Sequence, residues 1–600
     1  MTPKLETSEN SSQKTPPEHF PVLVVGAGPV GMTMALGLAC NGIPCLILND
    51  DDQLSEGSRA ICIQRSTLEI FDRLGCARPM VEKGVTWQVG RIFSGERELF
   101  RLNLPNAKSE KFPPFINLQQ FYTEKYLLET LQKQPLADLR WNHKVTGLSQ
   151  DTERVTVTAE TPQGQQTFTA DYVVAADGAR STIRHLLNIP FAGKTYTDRF
   201  LICDIRAKLD FPNERWFWFD PVFNRGKSAL LHPQPENVWR IDWQLGQNID
   251  VEAERQPAAL EKRVRQVIGD KPFEIVWASI YTFHQRHATR LREGRVFLAG
   301  DAAHLMSPFG ARGMNSGVQD VNNLLWKLWL VRDGLAPETL LDSYDLERRE
   351  AALENLHITD KSMAFITPHG RLAHLRHRLI LKGSRRVKWL RKFVNSGKLS
   401  QPCAYRQSPI TVYEDFRPGL STLLRSPGLF RAVRQFRKGP RAGRVAPDAF
   451  FSLADGTSDK ETGGASRKLQ RVLDLIGPHF VILYFCDEAK LAAKNMETAL
   501  YTGPETLPGL SLKIYLVSRH DKPLEDYPQF QLLTDPDGRF ARTYAAPPGA
   551  LYLLRPDGHI AARGFNFPLE RLPGILRQAS GGPNSEKAGG NKFLSKRGSS

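Results

Sequence analysis

Residues 21–48 hold no charged side chain, and how this run breaks up decides what the chain can fold into. It is long enough to cross a bilayer. Yet it contains Gly26-Ala27-Gly28-Pro29-Val30-Gly31, then Asn41-Gly42, then Pro44, which divide it into strand, turn, helix, turn and strand. Val22–Val25 runs into G-x-G-x-x-G, the helix-forming MTMALGLAC follows, and Pro44–Leu48 is the second strand. This order opens a doubly wound α/β sheet that holds a dinucleotide. Gly26 permits the tight turn, Gly28 lets the backbone approach a pyrophosphate, and Gly31 lets the helix pack on the strand. About 20 residues past the glycines an acid usually binds the adenosine ribose. Here Asn49 stands, with Asp50, Asp51 and Asp52 behind it, so Asn49 or Asp50 is expected to take the ribose.

Two distant segments repeat the strand-to-loop pattern. In RVFLAGDAAHLMSPFGARGMNSGVQDVNN (295–323) a buried strand, Val296–Ala299, ends in Gly300-Asp301; a turn with Pro308 and Gly310 leads to a helix opening near Gly313-Met314-Asn315. Asp301 can accept hydrogen bonds from sugar hydroxyls. The free N–H groups of Gly313–Asn315 can hold the electron-rich edge of a reduced flavin. In DYVVAADGARS (171–181) a strand ends in Asp177-Gly178, with Arg184 beyond.

Three such elements in this order resemble one family over residues 21–365: the single-component, FAD-dependent aromatic hydroxylases of the para-hydroxybenzoate hydroxylase fold, closest to the phenol, hydroxyphenylpropionate and polyketide hydroxylases. Arg59-Ala60-Ile61, STLEIFDRLG (66–75) and Gln120 also match. The resemblance implies that Arg59 and Gln120 contact FAD, together with the glycine loop, Asp177, Asp301 and Gly313–Asn315. It further implies a reaction in which NADPH or NADH reduces FAD, O2 adds to give a C4a-hydroperoxyflavin, and one oxygen passes to a small aromatic substrate, phenolic or polyketide. The implied fold is α/β: a Rossmann-type FAD-binding domain with an inserted mixed β-sheet substrate domain, plus a C-terminal thioredoxin-like α/β domain.

A base or acceptor beside a phenol would favour phenolate and make the ring more nucleophilic. Candidates are His232, Arg240 and Tyr281, with Trp216, Trp218 and Trp243 as walls and Pro308 and Phe309 to exclude water. The competing reading is that strand aromatics are core and a single strand histidine is structural. Phenol hydroxylases place an acid where GSRAICIQR (57–65) stands here; this chain has none there, so their base does not carry over. His304 receives no catalytic role, and Arg312 puts a cation near the flavin or its entrance. A flavin oxidoreductase without oxygen insertion and a non-catalytic flavin-binding scaffold are the alternatives. The G-W-x-W-x-I-P signature of flavin halogenases is missing.

Six hundred residues exceed one core. The chain divides into a disordered tail (1–20), a FAD domain (21–195 and 286–365), an aromatic-rich substrate sheet (196–285), a basic helical connector (366–440), a thioredoxin-like domain (441–580) and a second disordered tail (581–600). In the last domain GPHFVILYF (477–485) is a buried strand, and 547–565 is a hairpin turning at Pro556-Asp557-Gly558. Pro548 is the candidate for a cis bond. Cys486 lacks a C-x-x-C partner, so this domain is expected to be redox-inactive; the resemblance to phenol and polyketide hydroxylases implies that it serves structure or a homodimer contact. The seven cysteines are scattered without zinc spacing; this suits a reducing cytoplasm and no metal site. Between Arg371 and Arg444 stand 19 Lys or Arg against two acids, so one segment carries the net charge of +16. No nucleic-acid partner is expected. The basic helix reads first as a solvated face over a core, and alternatively as a weak contact with an acidic membrane surface.

Overall fold

The structure, a computed structural model, describes residues 17–54, 60–104, 110–247, 249–308, 310–368, 370–391, 402–412, 426–453, 469–501, 509–520, 524–566 and 568–582. Its first sheet grows from the uncharged run. Glu18–Val25 lies parallel to Gly164–Ala175 on one side and to Cys45–Leu48 on the other. Val296–Leu298 extends the sheet beyond Gly164–Ala175, and Ala137–Arg140 beyond Cys45–Leu48. Val22–Leu48 reads as near-continuous apolar sequence because parallel strands are buried on both faces. Helix Pro29–Cys40 packs so tightly on helix Gly313–Arg332 that a Cβ on Gly37 would lie 2.6 Å from a Leu325 methyl. The first strand starts at Glu18, inside the stretch expected to be a disordered tail. Glu18 meets Arg140 at 2.7 Å and His19 meets Thr169 at 3.1 Å, which anchors this polar end. Residues 1–16 and 583–600 lie outside the described residues.

The second sheet runs in the order His304–Leu305, Glu274–Ala288, Phe191–Arg206, Val238–Gly246, Ser228–Pro233, Arg215–Phe219, Val89–Ser94 and Arg97–Asn103. It therefore takes in residues 89–103, read from sequence as part of the FAD domain, because Val89–Ser94 pairs in parallel with Arg215–Phe219. Side chains alternate between its faces. One face carries Trp218, Trp239, Ile241 and Trp243 under helix Pro257–Ile268. The opposite face carries Phe200, Ile202, Leu230, His232, Arg240 and Asp242 along a cavity.

The third sheet has the order Leu469–Arg471, Phe450–Leu453, Phe530–Thr534, Leu512–Ser518, Phe480–Phe485, Ala550–Leu554 and Ile560–Phe565, with parallel pairing through the middle three. The last two strands form the expected hairpin, closed by Gly558 N–H donating to Arg555 O at 2.9 Å. No cis peptide occurs among the described residues, so the bond before Pro548 is trans. The chain turns instead at Gly549 (φ +90°), with Ala550 N–H on Pro547 O. This sheet docks on the FAD unit through Trp326, Leu330 and Leu340, which share a core with Phe480, Ile482 and Leu553. Beside it Arg555 grips Glu347 at 2.5 and 3.1 Å, and Lys327 donates to the same carboxylate at 2.8 Å, all wholly buried.

The connector is not continuously helical. Helices Arg371–Ser384 and Pro427–Phe436 flank a stretch of bends and turns, 402–412, that lays Tyr405 on His559 and joins Val412 N–H to Ala561 O. On the first of these helices Leu372, Leu375 and Leu379 are exposed among the cations, while Leu381 joins Ile92 and Phe100 in a core and His377 lies against Phe219 and Phe365. No helix among the described residues is long and apolar enough to cross a membrane.

Removing one partner of a buried ion pair leaves an uncompensated charge, at a cost of about 3–5 kcal/mol. Arg555→Ala should therefore lower the unfolding midpoint in urea clearly and separate the third sheet's transition from that of the FAD unit. An unchanged single transition would show that this cluster does not hold the two together.

Candidate active site

One cavity of about 640 Å3 joins the glycine loop to the second sheet. Each loop glycine has a separate reason. A Cβ on Gly26 (φ +99°) would fall 2.6 Å from Ala176 O, and one on Gly31 would fall 1.8 Å from Gly26 O. Gly31 accordingly packs helix on strand and does not line the cavity. At Gly28 an added Cβ meets nothing within 4 Å, so the backbone is bare toward the cavity. Asn49 Oδ1 accepts from Ala27 N–H at 2.8 Å and braces the loop; Asp50 lines the rim beside it. Trp141, His143 and Lys144, which the sequence reading passed over, line the same end.

Further along, Gln120 accepts from Ala60 N–H at 3.1 Å and donates to Glu124 at 2.7 Å. Asp177 Oδ2 accepts from Ile183 N–H at 3.0 Å, while its buried Oδ1 makes no hydrogen bond. Asp301 is exposed in the cavity on a short 3-10 turn. Helix Gly313–Arg332 starts without a side-chain cap, and a Cβ on Gly313 meets open space. Its first N–H groups are thus offered to a ligand. Met314 also lines the cavity. The Asn315 side chain is otherwise engaged: it accepts from Gln64 N–H at 2.9 Å and donates to Cys62 O and Ala311 O, tying the helix start to strand Cys62–Gln64. Asn315 can therefore serve a flavin only through its backbone. Arg312 is buried and donates to Asn355. Arg59 and Phe309 lie outside the described residues. A bare backbone at Gly28, polar groups at the ribose end, the Asp301 carboxylate and an uncapped helix in one cavity fit FAD.

The sheet end holds buried charge. Arg240 donates to Asp204 from Nε at 2.8 Å and Nη2 at 3.1 Å. His232 stands opposite Arg240 in the pairing and is 4% exposed; burial, then Arg215 and Arg240, hold its imidazole well below the usual range and keep it neutral. Asp242, two residues beyond Arg240 on the same face, has its carboxyl pushed up to about 6, chiefly by burial. Pro308 lines the cavity. Tyr281 does not: its ring lies 6.0 Å from Trp277, farther along the strand than Phe283, which does. The proposed walls Trp216, Trp218 and Trp243 are likewise absent from the cavity, because one residue's offset turns each to the opposite face. His304 is buried against Asp320 at 2.8 Å. Sequence reasoning missed Arg215 and Asp242; their shared parity with Phe217 and Arg240 was the available signal.

A family model described as "FAD binding domain" matches residues 19–359. The chain belongs to this family of FAD-binding proteins. It is 29% identical over 554 residues to a 3-(3-hydroxy-phenyl)propionate/3-hydroxycinnamic acid hydroxylase of Burkholderia cenocepacia (strain HI2424), covering 90% of this chain and 93% of that one. With the hydroxylase of the same name from Mycolicibacterium gilvum (strain PYR-GCK) it shares 31% over 404 residues, 67% of this chain and 70% of the relative. Among solved structures, the flavin-dependent monooxygenase PieE in complex with FAD and substrate superimposes with a TM-score of 0.74 at 23% identity, over 95% of this chain and all of that one. At that identity the likeness concerns the fold, a Rossmann-type FAD-binding unit with further sheets.

The open space at Gly28 predicts that Gly28→Val purifies with most of its FAD lost, since the side chain enters the pyrophosphate position. Asp301→Ala should weaken FAD binding by about 1–3 kcal/mol, the worth of charge-assisted hydrogen bonds. Flavin absorbance per chain after gel filtration measures both. A fully loaded Gly28→Val protein would remove the glycine loop from the FAD site.

Proposed function

We propose that this protein is a monooxygenase that uses FAD, NADPH or NADH, and O2 to hydroxylate a phenolic ring. The observation that carries the reading is the single cavity: a dinucleotide cradle at one end opens onto a buried, polar sheet face at the other. No side chain activates oxygen alone; FAD, when bound, supplies hydride acceptance and oxygen activation. The chain's own residues supply the surroundings. The N–H groups at Gly313–Asn315 place donors where negative charge develops. Phe200, Leu230, Phe283 and Pro308 line the same cavity and supply the apolar surface that would keep water from the reacting atoms. The relatives' names, hydroxylases of hydroxylated phenylpropionate and cinnamic acids, support a phenolic substrate.

The third sheet takes no part in electron transfer on this reading. Burial and Asp487 push the Cys486 thiol up to about 12, far from a reactive thiolate, and Cys486 is a free cysteine. Its role is to hold the FAD unit through Arg555.

Two measurements test this. A panel of phenolic acids, 3-(3-hydroxyphenyl)propionate included, should contain a member that stimulates nicotinamide oxidation and yields a product labelled from isotopic O2. Label arriving from water instead would make the protein an oxidoreductase without oxygen insertion. Cys486→Ser should turn over at the wild-type rate; a loss with FAD content intact would bring the third sheet into the redox chemistry.

A further inference from the structure

Three residues on the cavity face of the second sheet keep polar atoms that make no hydrogen bond: Arg215 Nε, His232 Nδ1 and Asp242 Oδ1, each buried. The nearest approach of His232 to Asp242 is 3.8 Å, from Nε2 to Oδ2. Neighbouring Arg240 pairs with Asp204 through two hydrogen bonds, so the sheet can satisfy such groups when it needs only stability. An unsatisfied buried polar group costs about 1–3 kcal/mol, and here three sit together. Pairing of Trp216 with Leu231 puts Arg215 one step on, opposite His232; His232 in turn is opposite Arg240, and Asp242 is opposite Leu230.

Their chemistry selects the missing group. A guanidinium only donates, an ionised carboxylate only accepts, and a neutral imidazole can do either. A ligand carboxylate could accept from Arg215 but would meet Asp242 as a like charge. An ammonium would meet Arg215 in the same way. A hydroxyl has one donor and two acceptor positions: it can donate to Asp242 while accepting from Arg215 and from the His232 N–H.

We propose that Arg215, His232 and Asp242 bind the ring hydroxyl of the phenolic substrate, with Asp242 taking its proton and Arg215 holding the oxygen. This rests on the monooxygenase reading above. In the step, the O–H bond breaks and its electron pair stays on oxygen. The proton bonds to a carboxylate oxygen of Asp242, leaving a phenolate beside Arg215 and a neutral acid. The ring becomes more electron-rich, and no oxidant or reductant is consumed.

Asp242 is faced by Arg240 on its own strand, His232 and Arg215 on the next two, Asp204 on the strand that pairs on its other side, and Cys62 from strand Cys62–Gln64. Burial pushes its carboxyl up to about 6 against the pull of Arg240 and Arg215. It is then an ionised acceptor above that pH and loses the role as pH falls through it.

The probe is 4-nitrophenol, whose phenolate is coloured, added to oxidised, FAD-loaded enzyme; 4-nitroanisole, which lacks the hydroxyl proton, is the control. Difference spectra across pH should show the bound dye ionising at least about one pH unit, or tenfold, more readily than free dye, as the nearby Arg215 cation requires. Asp242→Asn and Arg215→Met should each keep their FAD and still bind dye. Arg215→Met should reduce or lose the shift. Asp242→Asn removes a like charge from beside the phenolate and should keep the shift, but it should release to solvent the proton that Asp242 takes up in the wild type, read with a pH indicator in weak buffer. Failure of the wild type to bind the dye, an unshifted bound dye, an Arg215→Met variant with the full shift, or equal proton release from wild type and Asp242→Asn would overturn the proposal. A shifted dye without labelled-oxygen insertion into any phenol would instead sink the monooxygenase reading and leave the hydroxyl site standing.

Discussion

The carboxylate of Asp320 is wholly buried, and the flavin side of the molecule is arranged around it. A charge in that position costs several kcal/mol unless it is paired and fully hydrogen-bonded. Burial alone would raise its carboxyl; His304, Arg348 and the Gly300 N–H outweigh that and hold it below the usual range. Its two oxygens accept from Gly300 N–H at 2.9 Å, His304 at 2.8 Å and Arg348 at 2.6 Å. The turn that carries Asp301 is thereby fastened to two helices at once, Gly313–Arg332 and Asp342–Ile366. Arg348 extends the chain of contacts to Tyr405 at 2.8 Å, Tyr405 stacks on His559 at 4.4 Å, and His559 approaches Asp557, which pairs with Arg555. A hairpin tip of the third sheet thus supports, through buried polar contacts, the turn that offers a carboxylate to the cofactor. This gives the third sheet a structural reason to be attached.

The FAD site was legible because it is local. Each strand-to-loop element needs glycine where a Cβ would clash, as at Gly26 and Gly31, or where a ligand must approach, as at Gly28. Those requirements are written in consecutive residues. The substrate end is not local. Its strands could be located from alternation, but which side of each strand meets the cavity depends on partners far away in sequence. Trp216, Trp218 and Trp243 looked like walls because large aromatics suit an aromatic ligand. They point instead at helix Pro257–Ile268, whose apolar Leu260, Val264 and Ile268 needed covering. With the aromatics committed there, the two-residue period left Arg215, Arg240 and Asp242 facing the cavity. The hairpin Val89–Asn103 was misassigned for the same kind of reason: nothing near it in sequence announces parallel pairing with Arg215–Phe219.

The charge balance of that face also bears on what shape of substrate it admits. Arg240 is neutralised by Asp204 at hydrogen-bond distance, so the pair adds little net charge. His232 is neutral. What remains on that face among the described residues is one cation, Arg215, and one carboxylate, Asp242, which together carry no net charge. A neutral hydroxyl enters such a site without carrying a charge out of water, and ionises only once Arg215 and Asp242 surround it. A substrate carboxylate gains nothing there that Asp242 does not repel. If the substrate carries both groups, as hydroxylated phenylpropionates do, the hydroxyl lies against the sheet and the carboxylate must reach another part of the cavity. The orientation of the ring then follows from the order of two charges on the strands either side of Ser228–Pro233, which the pairing register holds in place.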